Sequence, residues 1–216
     1  MAARKAGAGQ AETGPRPAAV TFVTTEHFTL QGARSSTIAE ATGRATMFPG
    51  AVSGGLVALG LIATAAGART AFYAFALILL PTLAFVGLAT FNRVLQSGIE
   101  DLGYASRIAR LRGYYFQYAP ELAGYLLSVP PAERLRMQGI GGGRGQKFLT
   151  VAAMVGLVTA VLAGAAAGLL AAVVSDHVLS VALIAGVLVA IAVFAALIHF
   201  QVTTWRRAAA VLLDDQ

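Results

Sequence analysis

The chain has no cysteine, so it can hold neither a disulfide framework nor a thiolate metal site. Charge is scarce as well. Asp, Glu, Lys and Arg make up 12% of the 216 residues, against roughly 25% in an ordinary soluble domain. So little charge cannot cover a water-facing surface, and the mean hydropathy is +0.71. The bilayer must therefore be the solvent for much of the chain. Residues 1–46 contain no apolar h-region, which argues against a cleavable secretory signal and leaves insertion to the first true span.

Chemistry-bearing patterns are missing too. The three histidines, His27, His177 and His199, lie far apart with no His or carboxylate at metal-ligand spacing. Asp176 and His177 read as a turn dipeptide with no identifiable nucleophile beside it. The glycines between 139 and 145 resemble a phosphate loop, but no G-x-x-x-x-G-K-[ST] register fits, because Gln146 separates Gly145 from Lys147. No strand precedes them, and a dinucleotide fingerprint fails in the same way. No Lys, Arg, Asp or Glu lies within any apolar span, whereas ion-coupled transporters carry ionisable groups there. These absences exclude an obvious enzyme, a metal, a cofactor and a nucleic-acid partner. A passive pore lined by small side chains and backbone stays open.

What is present is helical. Between Arg44 and Arg69 lie 24 uncharged residues, about 36 Å of helix, enough to cross a hydrocarbon core of about 30 Å. A tight turn at Arg69 leads to a second span of 23 uncharged residues ending at Arg93. No stop signal follows, and the stripe Leu95, Ile99, Leu102 continues it out of the bilayer. After Gly103 a second stripe, Tyr104, Ile108, Leu111, Tyr115 and Tyr118, occupies another face, as a helix with two partners would show. Pro120 ends it. Spans at 148–175 and 178–205 complete the plan.

The expected fold is all-α, with four transmembrane helices in two hairpins. Residues 1–24 read as a disordered tail and 25–46 as an interfacial helix capped by Thr25. Residues 47–91 form the first hairpin and 92–147 a cytoplasmic helical insert with a glycine-rich link. Residues 148–205 form the second hairpin and 206–216 a short tail. Pro81, in mid-span, produces either a static kink or a gating hinge.

Basic residues set the orientation. Of the 16 Lys and Arg, Arg69 alone falls in an opposite-side turn, where it offsets Asp176. Both termini and the insert are therefore expected on the cytoplasmic side of the membrane. The whole net charge of +6 then faces inward, where it attracts anionic headgroups. Arg107, Arg110 and Arg112, interleaved with Tyr104, Tyr115 and Tyr118, suit either a headgroup-level or subunit interface or an anionic small-molecule ligand. Small residues mark the spans. Gly50 and Gly54, with Gly60 beyond, and Gly164 and Gly168 stand at spacings that let helices approach closely, within one chain or between copies.

A short helix, a pair of spans with a tight turn and a long basic helix resemble the SLATT family, membrane effectors of bacterial nucleotide-signalled defence. The resemblance rests on TEHFTLQGARSSTIAEATGRA, the turn at Arg69 and FNRVLQSGIEDLGYASRIARLRGYY. It implies an oligomeric pore. The whole text also resembles four-span proteins of high-GC actinobacteria. The expectation is a homo-oligomeric pore or ion channel, gated or assembled through the insert, with span one or span three lining it. The alternative is a non-conducting scaffold that recruits a cytoplasmic partner.

Overall fold

The computed structural model describes residues 17–65, 69–121, 148 and 150–214. Four helices account for nearly all of them: α1 (Pro17–Thr64), α2 (Arg69–Tyr118), α3 (Val151–Val174) and α4 (Leu179–Asp214). The fold is all-α, and no strand occurs among the described residues. Each helix is long and apolar enough to cross a membrane. With 24 residues, α3 is about 36 Å long and does little more than span the core. With 48 and 50 residues, α1 and α2 reach about 72 and 75 Å, so more than half of each projects beyond a core of about 30 Å.

Three expected boundaries move. The first helix is already formed at Pro17, upstream of Thr25. Thr25 lies inside the helix and donates its hydroxyl to the Thr21 carbonyl at 2.9 Å instead of capping anything. Nor is there a break near residue 47. α1 passes straight through Pro49, held by Phe48 and Val52, which are 2% and 9% exposed and sit in the core on either side of it. At the other end α4 runs on through 206–214, where Arg, Ala and Leu all favour helix, so the expected tail is helical. The segment 1–16, the glycine-rich link at 139–145, Tyr125, Pro130, Pro131 and residues 215–216 lie outside the described residues.

The helices form a row, not a closed bundle. α1 packs on α2, α2 on α3 and α3 on α4, while α1 and α4 share no extended contact. Each neighbouring pair is antiparallel with a constant register. Along α1 and α2, Arg34 meets Asp101, Glu40 meets Arg93, Phe48 meets Gly87 and Gly55 meets Leu83. Gly87 and Phe91 then meet Thr159 and Gly156 of α3, and Gly164 and Gly168 of α3 meet Gly186 and Ala182 of α4. Lipid tails are as apolar as leucine, so helices in a bilayer gain mainly from close packing. Glycine provides it here. A Cβ on Gly164 would stand 2.5 Å from the Gly186 carbonyl oxygen, so the backbones of α3 and α4 are in direct contact. Gly87 is the meeting point of three helices, because a Cβ there would strike both the Thr159 hydroxyl and the Phe48 ring.

α3 opens on Thr150, whose hydroxyl accepts from Ala153 N at 3.1 Å and also from Gln201 Nε2 of α4 at 3.1 Å. The opposite end turns through Asp176 and His177, both left-handed with φ of 52° and 67°. His177 lies against Tyr73 of α2, ring centroids 5.2 Å apart, so this turn and the start of α2 sit at one end of the row. Pro81 causes no interruption in α2. One residue on, the Thr82 hydroxyl donates to the Ile78 carbonyl at 2.7 Å.

Candidate functional site

Past the apolar stretches, the first part of α1 and the last part of α2 make a two-helix arm. Its seam is polar. The Arg34 guanidinium grips Asp101 through both carboxylate oxygens, Nε to Oδ1 at 2.5 Å and Nη2 to Oδ2 at 3.3 Å. Asp101 is only 7% exposed, so this pair works partly out of water. Ser97 Oγ donates to the Thr37 carbonyl at 3.1 Å. Arg93 donates to both oxygens of Glu40 and lies 3.6 Å from Glu100, and Glu40 also meets Arg44 one turn on. Hydrogen bonding from Arg93, reinforced by its charge, holds the Glu40 carboxyl below its ordinary value and raises the Arg93 guanidinium in turn. Leu30, Ala41, Leu95, Leu102, Ala105 and Ile108 are buried along the same seam. The arm is thus fastened by charge at intervals along a thin apolar strip.

The arginine and tyrosine group occupies the last turns of α2. Arg107 and Arg110 are exposed and Arg112 is half-buried. Tyr104 and Tyr115 are half-buried, and Tyr118 is exposed. The tyrosines engage one another: Tyr114 lies 4.9 Å from Tyr118 and 6.5 Å from Tyr115, centroid to centroid. Burial pushes the Tyr114 phenol upward, with Tyr118 adding to the effect. Among the described residues no group of three or more His, Asp or Glu is placed to hold a metal ion.

Within the spans, the two glycine pairs of equal spacing part company. Gly164 and Gly168 are consumed inside the chain by α4. Gly50, Gly54 and Gly60 have nothing within 4 Å of where a Cβ would stand. Exposure along α1 explains why. Phe48, Val52, Gly55, Leu59 and Ile62 recur at spacings of four and three and face α2, all buried or half-buried. Thr46, Gly50, Ser53, Val57, Gly60 and Thr64 recur at the same spacings about half a turn away, and every one is exposed. The outer face of α4 differs in kind, with Leu183, Ile184, Val187, Leu188 and Ile191 all exposed. One edge of the row is therefore large and aliphatic throughout, and the other interleaves glycine and hydroxyl side chains with Val57 and Leu61.

Sequence reasoning missed three features of this arrangement. Asp101 and Ser97 lie outside the apolar stripes of α2, yet both are buried and bonded to α1. Gly87 and Gly98 show no motif, and each is needed for a close approach; a Cβ on Gly98 would stand 2.8 Å from the Trp205 ring. The outer face of α1 is visible only once the inner one is known. No protein-family model, curated protein or solved structure matches the chain.

Proposed function

We propose that the protein is a homo-oligomer of the bacterial cytoplasmic membrane that forms a pore between its copies. α1 faces the axis, and the cytoplasmic arm controls assembly or opening. The observation that carries this reading is the outer face of α1. Glycine and hydroxyl side chains gain little from lipid tails, whereas between copies they allow close approach and offer polar atoms to water and ions. The large aliphatic face of α4 suits lipid instead. A path through a single chain is blocked, since Phe48, Leu80, Phe91 and Leu162 fill its middle. In this reading the two helix pairs are transmembrane hairpins with both termini inside, as the basic residues favour, and Arg107, Arg110 and Arg112 meet anionic headgroups or a soluble anion. The architectural resemblance to SLATT effectors points the same way.

Single-particle imaging of the protein in nanodiscs, paired with ion flux into liposomes, tests this. A ring of three or more copies is expected, with flux that Gly54→Leu reduces together with the ring. A strict monomer that leaves liposomes ion-tight would overturn it. One observation favours the scaffold reading: Phe22 and Phe28 of the arm are 73% and 67% exposed, as a partner-binding surface would be. Loss of a captured cytoplasmic partner in Phe22→Ser/Phe28→Ser, from a protein that never conducts, would select it.

A further inference from the structure

At the level where Arg44 and Arg93 end the apolar stretches, a cleft of about 410 Å³ opens between α1, α2 and the start of α3. Its volume falls in the usual range of small-molecule sites, roughly 300–1,000 Å³. The walls are of two kinds. Ile38, Ala45, Val94 and Val151 make an apolar trough, and Ser97 and Asp101 stand along it. Asp101 is the one charged side chain lining the cleft among the described residues. An ionised carboxylate has about four acceptor positions, and Arg34, which is not among the lining residues, takes two of them. Ser97 spends its proton on the Thr37 carbonyl, so its oxygen faces a ligand as an acceptor.

We infer that this cleft binds an amphiphile with a primary ammonium head: one of its chains lies in the trough, and the head donates to Asp101 and Ser97. An ammonium brings three donors to the acceptor positions that Arg34 leaves open on Asp101. A carboxylate head of the same length brings acceptors to acceptors and is rejected. The cleft borders two fastenings of the arm, Arg34 with Asp101 and Glu40 with Arg93, so an occupant bears directly on the spacing of α1 and α2. That control role rests on the pore reading; the binding itself does not.

Trp205 is the only tryptophan, and its ring lies against Gly98, which lines the cleft. Its emission therefore reports occupancy without any reference to conduction. Dodecylamine titrated into the protein in phosphatidylcholine nanodiscs should give a saturable change in Trp205 emission, and dodecanoate should not. Ala45→Phe, which fills the trough, should abolish the change. The paired variant Arg34→Gln/Asp101→Asn keeps the two side chains matched and should weaken the amine by about tenfold, the loss of one charge-assisted hydrogen bond. If nanodiscs containing phosphatidylethanolamine already show the shifted emission and compete with dodecylamine, the ammonium comes from a membrane lipid; if they do not, it comes from a free amine. A response that never saturates, or is shared by dodecanoate or by Ala45→Phe, is partition into the bilayer and overturns the inference. A protein that binds dodecylamine saturably but conducts nothing would refute the pore and leave the site standing.

Discussion

Adding one methyl group at Gly87 should push α1 and α3 away from α2. The alanine Cβ would lie 2.7 Å from Phe48 Cζ and closer still to the Thr159 hydroxyl, where ordinary contact begins at 3.4 Å. Neither neighbour can yield freely, since Phe48 is 2% and Thr159 3% exposed. Overpacking of this kind costs about 1–3 kcal/mol. The better helix propensity of alanine returns about 1 kcal/mol, which leaves a net loss of up to about 2 kcal/mol. Thr159 bonds only within its own helix, to the Val155 carbonyl at 2.7 Å, so Thr159→Ala removes the nearest obstacle at little other cost. Gly87→Ala/Thr159→Ala should then be more stable than Gly87→Ala alone, with a coupling of about 0.5–3 kcal/mol. Gly103→Ala is the control: it lies in the same helix, has nothing within 4 Å and should hold or gain stability. Unfolding in detergent followed by circular dichroism measures all four. If Gly87→Ala matches the wild type and shows no coupling to Thr159, the three-helix junction is not formed as described.

The arm gives two further tests. Arg34→Ala leaves the Asp101 carboxylate buried without its cation and should cost about 1–3 kcal/mol. Hydrogen exchange should then quicken on both helices around residues 34 and 101, and unchanged protection would refute the clamp. The pH dependence follows from Glu40, whose folded carboxyl lies below its ordinary value of 4.5. Its contribution is complete at neutral pH, begins to fade below about pH 4.5 and is lost as pH falls through the depressed folded value. Spin labels on α1 and α2 near residues 40 and 93 should therefore separate in acid, and Glu40→Gln should remove that response. A distance that does not change with pH would show the pair to be irrelevant to the arm.

Much of this architecture is legible in the residues. Arg44, Arg69 and Arg93 bound the first two spans, and the absence of a stop after Asn92 foretells the continuous α2. The stripe Leu95, Ile99, Leu102 marks its inner face. Other features are hidden for physical reasons. Pro49 looks like a helix end because proline usually is one, and only the burial of Phe48 and Val52 shows what carries α1 through it. The pairs Gly50/Gly54 and Gly164/Gly168 have equal spacing, so spacing alone cannot tell which one the chain uses itself. Asp101 finds its partner 67 residues away, a distance over which periodicity carries no information. Contacts alone separate the two glycine pairs: α4 occupies Gly164 and Gly168, and Gly50 and Gly54 have nothing within 4 Å of where a Cβ would stand.

The unbroken run of α1 through Pro49 gives the molecule mechanical advantage. If the Phe48–Gly87 contact is the fulcrum, about 47 Å of helix extends from it to Pro17 and about 24 Å to Thr64, at 1.5 Å per residue. A stiff helix transmits tilt rather than compression. A partner or ligand that shifts the tip of the arm by 2 Å would then swing the far end of the span by about 1 Å the other way, with roughly twice the force. Weak contacts at the tip of the arm would in this way suffice to move a tightly packed helix.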